Sequence, residues 1–567
     1  MTTAAKQPAK PSLVDSVSGL DMLLTDAALG PTRRMVPPAG LALRTGMSLA
    51  SQPKVMAGRA GSLVAELARV AVGRSTVTPE KGDKRFTEPA WSENRALKAA
   101  VQSYLATCST AQQLVLDAKL DWADLERTRF IVSNLSDALA PSNNPVLNPL
   151  TWKALIDSGG KSVLRGTRNL VSDMLKAPRV PSMVSPTAFK VGKDLAVSPG
   201  AVVFRTPVFE LIQYAPTTET VHAVPLLMVP PTINKYYVAD LAPGRSIVQT
   251  LVDSGQQVFM MSWRNPKAEH KDWDLDTYGQ AVLDALAAVE RIAQIDKTSV
   301  MAFCSGGIIT SMVLAHLYAT GGGDRIAATS FAVTVLDHER AGTTSALMDE
   351  ASAQSAVAAS EKKGYLDGAM LAEVFAWLRP NDLIWNYWVN NYLQGKAPAA
   401  FDILAWNSDT TRMPAGLHRD FVNVSMANAL TKPGSSTILG TNVNLAAVKA
   451  DSYVIAGIAD HLCQWQSCYQ TTQLLGGDSR FILSTSGHIA SLINPPGNPK
   501  ATWRTSDSNP ASADEWFEQS ELNKGSWWSD FTTWLAARSG DDIPAPTTLG
   551  GEEGTFAPAP GTYVFDK

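Results

Sequence analysis

The sequence predicts an α/β protein whose parallel sheet is preceded by a mostly helical domain. From about residue 200, short apolar and β-branched runs alternate with amphipathic helical patterns, which is typical of parallel strands joined by crossover helices. Before that point, apolar residues recur mainly at helical spacing. A third observation is the stretch at 301–307, which is rich in small residues and in which a strand pattern changes abruptly into a helix pattern.

The N-terminal domain is predicted to span residues 1–199. About the first 50 residues are rich in Ala, Pro, Thr and Ser with weak periodicity, which indicates a loosely ordered segment. Residues 54–75 combine helical apolar spacing with several arginines. This pattern fits a helix that lies on an anionic or apolar surface, and it fits equally a helix that docks on its own protein. Residues 83–176 are predicted to be mostly helical and to form an accessory domain.

The second predicted domain spans residues 200–567 and carries the alternation of strands and helices. Between about residues 337 and 439 the alternation gives way to a helical stretch rich in aromatic residues. We expect this insertion to form a cap over the ends of the strands. Strands are predicted at 202–205, 209–214, 224–229, 258–263, 298–300, 326–336, 453–457 and, as the last strand, 481–484; helices are predicted at 243–254, 276–294, 308–317 and 526–538.

Composition excludes several classes of protein. A net charge of -4 and a pI near 6.0 argue against a nucleic-acid-binding protein, which would carry a basic surplus. Four cysteines in 567 residues are too few for a disulfide scaffold, so the thiols are expected to be reduced, as in the cytoplasm. The N-terminus lacks the pattern of a signal peptide, and no run of about 18 apolar residues predicts a transmembrane helix.

The stretch at residues 301–307 is typical of the nucleophile elbow of the α/β-hydrolase fold, a sharp strand-to-helix turn usually written G-x-S-x-G. Residues 302–306 read Ala-Phe-Cys-Ser-Gly, so Cys304 occupies the place of the nucleophile. Small residues are needed at this turn because the strand and the helix pass close together. The alternative is that Cys304 is a buried cysteine in a core strand, since free cysteine is among the most buried residue types.

An acid and a histidine follow the elbow in the order that this fold requires. Asp460 follows one predicted strand and His488 follows the next, so both are expected at the rim where the elbow presents Cys304. His488 would act as the general base for the thiol, and Asp460 would orient the imidazole. The backbone N–H groups of Ser305 and Ile233 are the expected oxyanion donors. In a simpler interpretation, Asp460 is a helix N-cap and His488 is a surface or packing residue.

A thiol nucleophile is well matched to a thioester substrate, because exchange of one thiol for another is close to energy-neutral and keeps the acyl group activated. This match favours acyl transfer from a coenzyme A thioester over simple hydrolysis. No zinc or redox site is predicted at Cys463 and Cys468, because these cysteines lack the C-x-x-C spacing of such a site. His461, the residue after Asp460, is expected to point away from Asp460 because successive side chains alternate on a strand-like backbone.

Six strings of residues point to a particular family. They are DKRFTEPAW at 83–91, PPTINKYY at 230–237, SWRNP at 262–266, RPNDLIWNYW at 379–388, GHI at 487–489 and INPPGNPK at 493–500. In these strings, the chain from about residue 83 to its C-terminus resembles the polyhydroxyalkanoate synthases of the single-subunit type. These bacterial enzymes polymerise (R)-3-hydroxyacyl-CoA into a storage polyester.

The resemblance implies that Cys304, His488 and Asp460 form a catalytic triad. In the family, the residue matching Cys304 carries the acyl group or growing chain as a thioester, and the histidine activates the thiol. The aspartate, together with the histidine, helps to activate the 3-hydroxyl group of the substrate. Coenzyme A is the leaving group of the substrate, so the resemblance implies no cofactor and no metal.

The resemblance also implies a setting for the protein. It implies an α/β-hydrolase catalytic domain with a lid, in which Trp406 matches an aromatic position. It implies a homodimer at the surface of cytoplasmic polyester granules, among granule-associated proteins, with the N-terminal region contributing to attachment. Neither a nucleic acid nor a transmembrane segment belongs to this setting.

Two positions depart from the family pattern. Ala302 stands where the family usually has glycine, and the run DHLCQW at 460–465, which contains Cys463, lacks the usual proline before its tryptophan. Neither change removes a reacting group, so we expect activity. Two other functions fit the sequence, a thioesterase or polyester hydrolase on the same fold and a non-enzymatic granule-coat protein. The preferred acyl chain length and the residues that bind coenzyme A do not follow from the sequence.

Overall fold

The protein is described by a computed structural model, which covers residues 39–175, 178–338, 350–460 and 462–567. Most of the segment predicted to be loosely ordered therefore lies outside the described residues, and so does His461. None of the helices in the described part of the chain combines the length and the apolar character needed to cross a lipid bilayer.

The described residues form two compact units. The sheet unit comprises those within 189–368 and 406–567, and the helical unit comprises those within 39–188 and 369–405. The segment predicted as a cap is thus divided. Its middle part groups with the N-terminal helices, while its two ends group with the sheet.

An eleven-stranded sheet organises the sheet unit. Its strands, in chain order, are β1 (Gly200–Arg205), β2 (Phe209–Tyr214), β3 (Leu226–Val229), β4 (Val258–Trp263), β5 (Thr298–Phe303), β6 (Ile326–Ala332), β7 (Ser452–Gly457), β8 (Ser479–Ser484), β9 (Thr502–Thr505), β10 (Glu521–Lys524) and β11 (Ala557–Pro558). Across the sheet they lie in the order β10-β9-β8-β7-β6-β5-β3-β4-β2-β1-β11. The six strands from β8 to β4 are parallel, which confirms the α/β architecture predicted from the alternation of strands and helices.

The register of the parallel strands brings three chain segments to one edge of the sheet. Phe303 at the end of β5 pairs with Ala332 at the end of β6, and Gly457 at the end of β7 pairs with Ser484 at the end of β8. Because the carboxyl ends of parallel strands share an edge, the elbow and the loops after β7 and β8 meet there. Every residue of β2, β4, β5 and β7 is buried, so the strands that lead to this edge are packed in the core.

The prediction that residues 481–484 form the last strand is wrong. After β8 the sheet continues with the antiparallel strands β9 and β10, and the C-terminal tail returns to pair β11 with β1 at the opposite edge. Polar residues dominate β10, whose exposed side chains give it no apolar alternation. Edge strands of this kind carry little hydrophobic signal, because one side of their backbone faces solvent.

Helices and small two-stranded sheets complete the sheet unit. The helices are Ile247–Asp253, Leu275–Ala293, Ser305–Ala319, Glu350–Lys363, Ala415–Met426, Trp465–Tyr469, Thr471–Leu474, His488–Leu492, Ala513–Gln519 and Trp528–Ala536. Three further two-stranded sheets pair Thr220–His222 with Asp542–Pro544, Tyr365–Leu366 with Met413–Pro414, and Thr437–Ile438 with Thr441–Asn442. Side-chain caps fix where two of the predicted helices start: Ser246 accepts from the Gln249 N–H group, and Asp274 accepts from that of Thr277.

The helical unit contains the N-terminal helices and part of the predicted cap. Its helices are Ala39–Ala50, Pro53–Ala71, Ala90–Glu93, Arg95–Asp117, Trp122–Ala138, Pro149–Asp157 and Lys161–Met174; Gly368–Leu378 and Asp402–Ser408 lie at its boundaries, and two π-helical segments span Asn381–Trp385 and Trp388–Leu393. Ala39–Ala50 is helical although it falls in the stretch predicted to be loosely ordered, because its Ala and Leu residues are strong helix formers.

The helix Pro53–Ala71 packs on the helix Arg95–Asp117 of the same unit. Val70 is buried, and Arg59 donates two hydrogen bonds to the Asp117 carboxylate, 2.6 Å and 3.1 Å long. Of the two interpretations of this amphipathic segment, docking on its own protein is therefore the one that the contacts support. Val64 on the same helix stays 67% exposed, which leaves an apolar side chain on the outer face.

Candidate active site

Cys304 lies at the sharp turn between β5 and the helix Ser305–Ala319, hereafter the elbow helix. Its backbone has φ 49° and ψ -120°, a conformation that is rare for a residue with a side chain. The Cys304 N–H group donates to the Ala332 carbonyl oxygen over 3.0 Å, which ties the turn to the end of β6. As a residue Cys304 is partly exposed, and it lies at the turn after β5 rather than inside the strand, unlike the core-strand cysteine of the alternative interpretation.

The two glycines after the nucleophile allow the elbow helix to pass close to its neighbours. A Cβ atom on Gly306 would lie 2.4 Å from the Pro230 carbonyl oxygen, and one on Gly307 would lie 2.2 Å from the Thr334 Oγ1 atom. Both distances are far below van der Waals contact. Ala302, two residues before the nucleophile, sits inside β5 opposite Phe331 of β6 and is fully buried.

Asp460 and His488 lie in the loops after β7 and β8 and are hydrogen-bonded to each other. The His488 Nδ1 atom lies 2.7 Å from the Asp460 Oδ2 atom. The other oxygen, Oδ1, accepts from the N–H groups of Leu462 and Cys463 over 2.8 Å and 3.0 Å. Asp460 therefore holds the loop after β7, much as a cap would, and orients the imidazole at the same time. Both side chains are buried.

The third member of the predicted triad lies beside this pair. The Sγ atoms of Cys304 and Cys463 and a ring nitrogen of His488 all lie within 4.8 Å of one another. Because Asp460 engages Nδ1, Nε2 is the ring nitrogen available to the Cys304 thiol. The structure thus brings together all three residues that the sequence places at strand ends.

Burial and neighbouring groups shift the pKa values of Cys304 and His488. The pKa of the Cys304 thiol is raised well above its usual value, first by a hydrogen bond with the Cys463 thiol and then by burial, while His488 opposes both. Burial alone would lower the pKa of His488, but the Asp460 carboxylate and the neighbouring Cys304 thiol together outweigh burial and raise that pKa. The carboxylate thereby makes the imidazole a stronger base toward the thiol.

Two tryptophans support the short helix that carries His488. The indole nitrogens of Trp527 and Trp528 donate to the carbonyl oxygens of Ser491 and Leu492 over 2.8 Å and 2.9 Å. Both rings are buried, so these bonds satisfy the end of the helix His488–Leu492 inside the core. This role was not predicted, and the adjacent pair Trp527-Trp528 near the C-terminus is the sequence feature that marks it.

The loop that carries Ile233 contacts Ser305, the other expected oxyanion residue, through Thr232. The Ser305 Oγ atom accepts from the Thr232 N–H group over 2.9 Å, which fixes the loop after β3 against the start of the elbow helix. Thr411 bonds the carbonyl oxygens of Thr232 and Ile233 from the other side. These contacts hold the loop that contains Ile233 against Ser305, which begins the elbow helix, and the N–H groups at a helix N-terminus favour negative charge.

Trp406, which the resemblance places in a lid, is buried rather than displayed. Its indole nitrogen donates to the Lys235 carbonyl oxygen over 2.7 Å, and only 2% of its surface is exposed. The Lys235 ammonium group in turn donates to the Asp566 carbonyl oxygen over 3.0 Å, which fastens the C-terminal tail. Trp406 thus supports the loop that follows β3.

Two protein-family models match this chain. The family model for the N-terminus of poly-beta-hydroxybutyrate polymerase matches residues 82–251, and the model for the alpha/beta hydrolase fold matches residues 225–495. The second match confirms the predicted fold family.

Full-length relatives agree with the family models. Poly(3-hydroxyalkanoate) polymerase 1 of Ectopseudomonas oleovorans is 43% identical over 503 residues, which cover 88% of this chain and 90% of the relative. The poly(3-hydroxyalkanoate) polymerase subunit of Cupriavidus necator is 38% identical over 507 residues, covering 88% of this chain and 85% of its own length. With such identity over nearly the whole length of both, this chain belongs to the poly(3-hydroxyalkanoate) polymerase family.

Proposed function

We propose that this protein is an acyltransferase that polymerises (R)-3-hydroxyacyl-CoA thioesters into polyhydroxyalkanoate and releases coenzyme A. The observation that carries the proposal is the buried His488–Asp460 pair beside a thiol at a nucleophile elbow. The names of the full-length relatives supply the substrate class, since they are poly(3-hydroxyalkanoate) polymerases.

The first half-reaction loads the enzyme. The Cys304 thiol gives its proton to the His488 imidazole, and the sulfur attacks the thioester carbonyl of the substrate. When the tetrahedral intermediate collapses, coenzyme A leaves as a thiol that takes up the proton from His488. One thioester is broken and one is formed, so the acyl group stays activated on Cys304.

The second half-reaction extends the chain. The 3-hydroxyl group of an acyl unit gives its proton to His488, assisted by Asp460, and its oxygen attacks the thioester carbonyl at Cys304. An ester bond forms, and the thiol leaves with the proton. The N–H groups of Ser305 and Ile233 stabilise the oxyanion in both half-reactions. No metal and no cofactor take part in turnover.

The proposed setting is a homodimer at the surface of polyester granules in the cytoplasm, in contact with granule-associated proteins. Exposed apolar side chains in the helical unit support attachment to such a surface, because contact with an apolar granule would remove them from water. They are Leu43, Met47, Val64, Val72, Leu139, Val146, Ile156, Leu164 and Leu175.

One incubation separates this proposal from its alternatives. The purified protein is supplied with 3-hydroxybutyryl-CoA and longer analogues, and both free coenzyme A and the fate of the acyl group are measured. Insoluble polyester together with free coenzyme A supports polymerisation, whereas free hydroxy acid supports a thioesterase or hydrolase. A granule-coat protein without activity would release no coenzyme A.

The thiol assignment is tested with a pair of variants. Cys304→Ala should abolish release of coenzyme A and labelling by a radioactive acyl group. Cys108→Ser removes a half-buried thiol in the helical unit and should retain both. Turnover at the native rate in Cys304→Ala would overturn the role of Cys304.

A further inference from the structure

Cys463 gives the proposed site a feature that acyl transfer does not need. Its thiol is buried, and its Sγ atom lies within 4.8 Å of both the Cys304 Sγ atom and a ring nitrogen of His488. The Cys463 N–H group is held by the Asp460 carboxylate over 3.0 Å, so the backbone cannot easily carry the thiol away. Two thiols and one imidazole therefore converge on one point.

We propose that Cys304, Cys463 and His488 form a binding site for a thiophilic divalent metal ion such as Zn²⁺, and that occupancy reversibly blocks acylation. The inference goes beyond the proposed function, because turnover itself uses no metal. The proposed metal site depends on Cys463. This residue lies in the run at 460–465, which departs from the family pattern.

The donor set fits Zn²⁺ in kind and in number. Two thiolates and one imidazole are ligands that zinc prefers, and three protein ligands with an open fourth position are typical of accessible zinc sites. Hard cations such as Mg²⁺ and Ca²⁺ need oxygen ligands, which this group of atoms does not offer. The separation of at most 4.8 Å requires only small side-chain shifts to reach tetrahedral coordination.

The surroundings of His488 match the outer shell of a zinc site. Histidines that bind metals usually donate their second ring N–H group to a carboxylate, which fixes the ring and raises its basicity. His488 has this arrangement, since its Nδ1 atom lies 2.7 Å from the Asp460 carboxylate and Nε2 is left for the metal. The same pair that activates the thiol would thus also prepare the imidazole as a ligand.

The chemistry of the block is simple and balanced. Zn²⁺ enters past Cys304, which is the partly exposed member of the three, and replaces the two thiol protons, which pass to solvent. Nothing is oxidised or reduced. With its sulfur bound to the metal, Cys304 cannot attack a thioester until a chelator removes the ion.

The test uses the full-length protein, kept reduced with a phosphine and freed of metals with a chelator that is then removed. Zn²⁺ should inhibit release of coenzyme A, and EDTA should restore it. Co²⁺ provides a readout that does not depend on turnover, because tetrahedral thiolate coordination gives strong visible and near-ultraviolet absorption bands. We expect these bands in the wild-type protein, and we expect prior alkylation of Cys304 with iodoacetamide to abolish them.

Two variants distinguish this site from adventitious binding. In Cys463→Ala, the Zn²⁺ concentration for half-inhibition, relative to the metal-free rate of the variant, should rise by about tenfold or more. In Cys108→Ser, both the inhibition and the Co²⁺ bands should match the wild-type protein. If Cys463→Ala does not fold, the wild-type Co²⁺ spectrum before and after alkylation still decides the question.

Three results would overturn the proposal. They are half-inhibition of Cys463→Ala at the wild-type Zn²⁺ concentration, a Co²⁺ spectrum without thiolate bands, and inhibition that EDTA leaves in place. A protein that binds Co²⁺ through thiolates but makes no polyester would refute the proposed function and leave the metal site standing.

Discussion

The Nδ1 atom of His488 lies 2.7 Å from the Oδ2 atom of Asp460, while the second oxygen of that carboxylate holds the backbone of the loop after β7. One side chain thus connects the loop that follows β7 to the loop that follows β8. The geometry of the base and the shape of its surroundings therefore depend on the same residue. Substitutions at Asp460 can separate these two roles.

Asp460→Asn should keep the loop and impair the chemistry. The amide oxygen can still accept from Leu462 and Cys463, but the amide nitrogen then faces His488 and favours the wrong tautomer. Without the carboxylate, the raised pKa of His488 also falls. We expect release of coenzyme A to slow by about 10³- to 10⁴-fold, as measured in steady-state kinetics.

The control for this prediction is Asp460→Ala, which also removes the acceptor of the two backbone N–H groups. Its free energy of unfolding should fall by about 1 kcal/mol or more relative to Asp460→Asn, as for the loss of a helix cap. Equal stabilities for the two variants would show that the loop does not depend on the Oδ1 hydrogen bonds.

Much of the sheet could be predicted because its central strands are buried on both faces. Strands such as β3 and β4 read as near-continuous apolar runs, and the crossover helix Leu275–Ala293 shows one apolar face. The predicted triad followed from topology, since Cys304 comes directly after β5, and Asp460 and His488 lie in the loops that follow β7 and β8.

The parts that escaped prediction have physical reasons. The edge strand β10 reads Glu-Leu-Asn-Lys and is mostly exposed, so no hydrophobic pattern marks it. β11 has two residues and exists only because the tail reaches β1. The approach of Cys463 to Cys304 depends on the carboxylate of Asp460 drawing in the backbone three residues later, which no residue pattern reveals.

Gly306→Ala should prevent the elbow from forming. The added Cβ atom would lie 2.4 Å from the Pro230 carbonyl oxygen and 2.9 Å from that of Val229, and both of these are backbone atoms at the end of β3. Neither the strand nor the elbow helix can move without repacking the core. We expect a loss of stability of about 3 kcal/mol or more and no measurable turnover, tested by urea unfolding and release of coenzyme A.

The matched substitution is Gly61→Ala in the helix Pro53–Ala71, where an added Cβ atom meets nothing within 4 Å. Alanine is the better helix former, so this variant should gain up to about 1 kcal/mol and keep full activity. If both variants behaved alike, the close approach of the elbow helix to β3 would not be the reason for glycine at residue 306.

Trp527→Phe should weaken the support of the short helix that begins at His488. The variant loses the indole donor to the Ser491 carbonyl oxygen and leaves that buried oxygen unpaired. Trp516→Phe is the matched control, because Trp516 is equally buried but its indole nitrogen has no hydrogen-bond partner among the described protein atoms. Since both variants lose the same volume, the difference between them reports the hydrogen bond.

We expect Trp527→Phe to be less stable than Trp516→Phe by about 1–3 kcal/mol in urea unfolding. Only Trp527→Phe should also slow release of coenzyme A, because it loosens the helix that begins at His488. Equal stabilities, or equal rates, would mean that the indole bond does not position the histidine.

His418→Gln should make the protein less sensitive to acid. Ser360 donates its hydroxyl hydrogen to the Val357 carbonyl oxygen, so its oxygen accepts from the His418 Nδ1 atom, 2.7 Å away. The Nε2 atom is buried and has no hydrogen-bond partner among the described residues, so a second proton there would leave a charged N–H group unpaired, and the neutral imidazole is favoured. Burial lowers the pKa of His418 from 6.5 to about 4.

The sign of the effect follows from this lowered pKa. The unfolded chain takes up the proton on His418 more readily than the folded one. The contribution of His418 to folding stability is therefore fully present above about pH 6.5 and is lost as the pH falls toward about 4. Between pH 7 and pH 5 the loss due to His418 is about 2 kcal/mol. In urea unfolding at these two pH values, His418→Gln should lose less stability than the wild-type protein by about that amount. An identical pH dependence in both proteins would show that folding does not lower the pKa of His418.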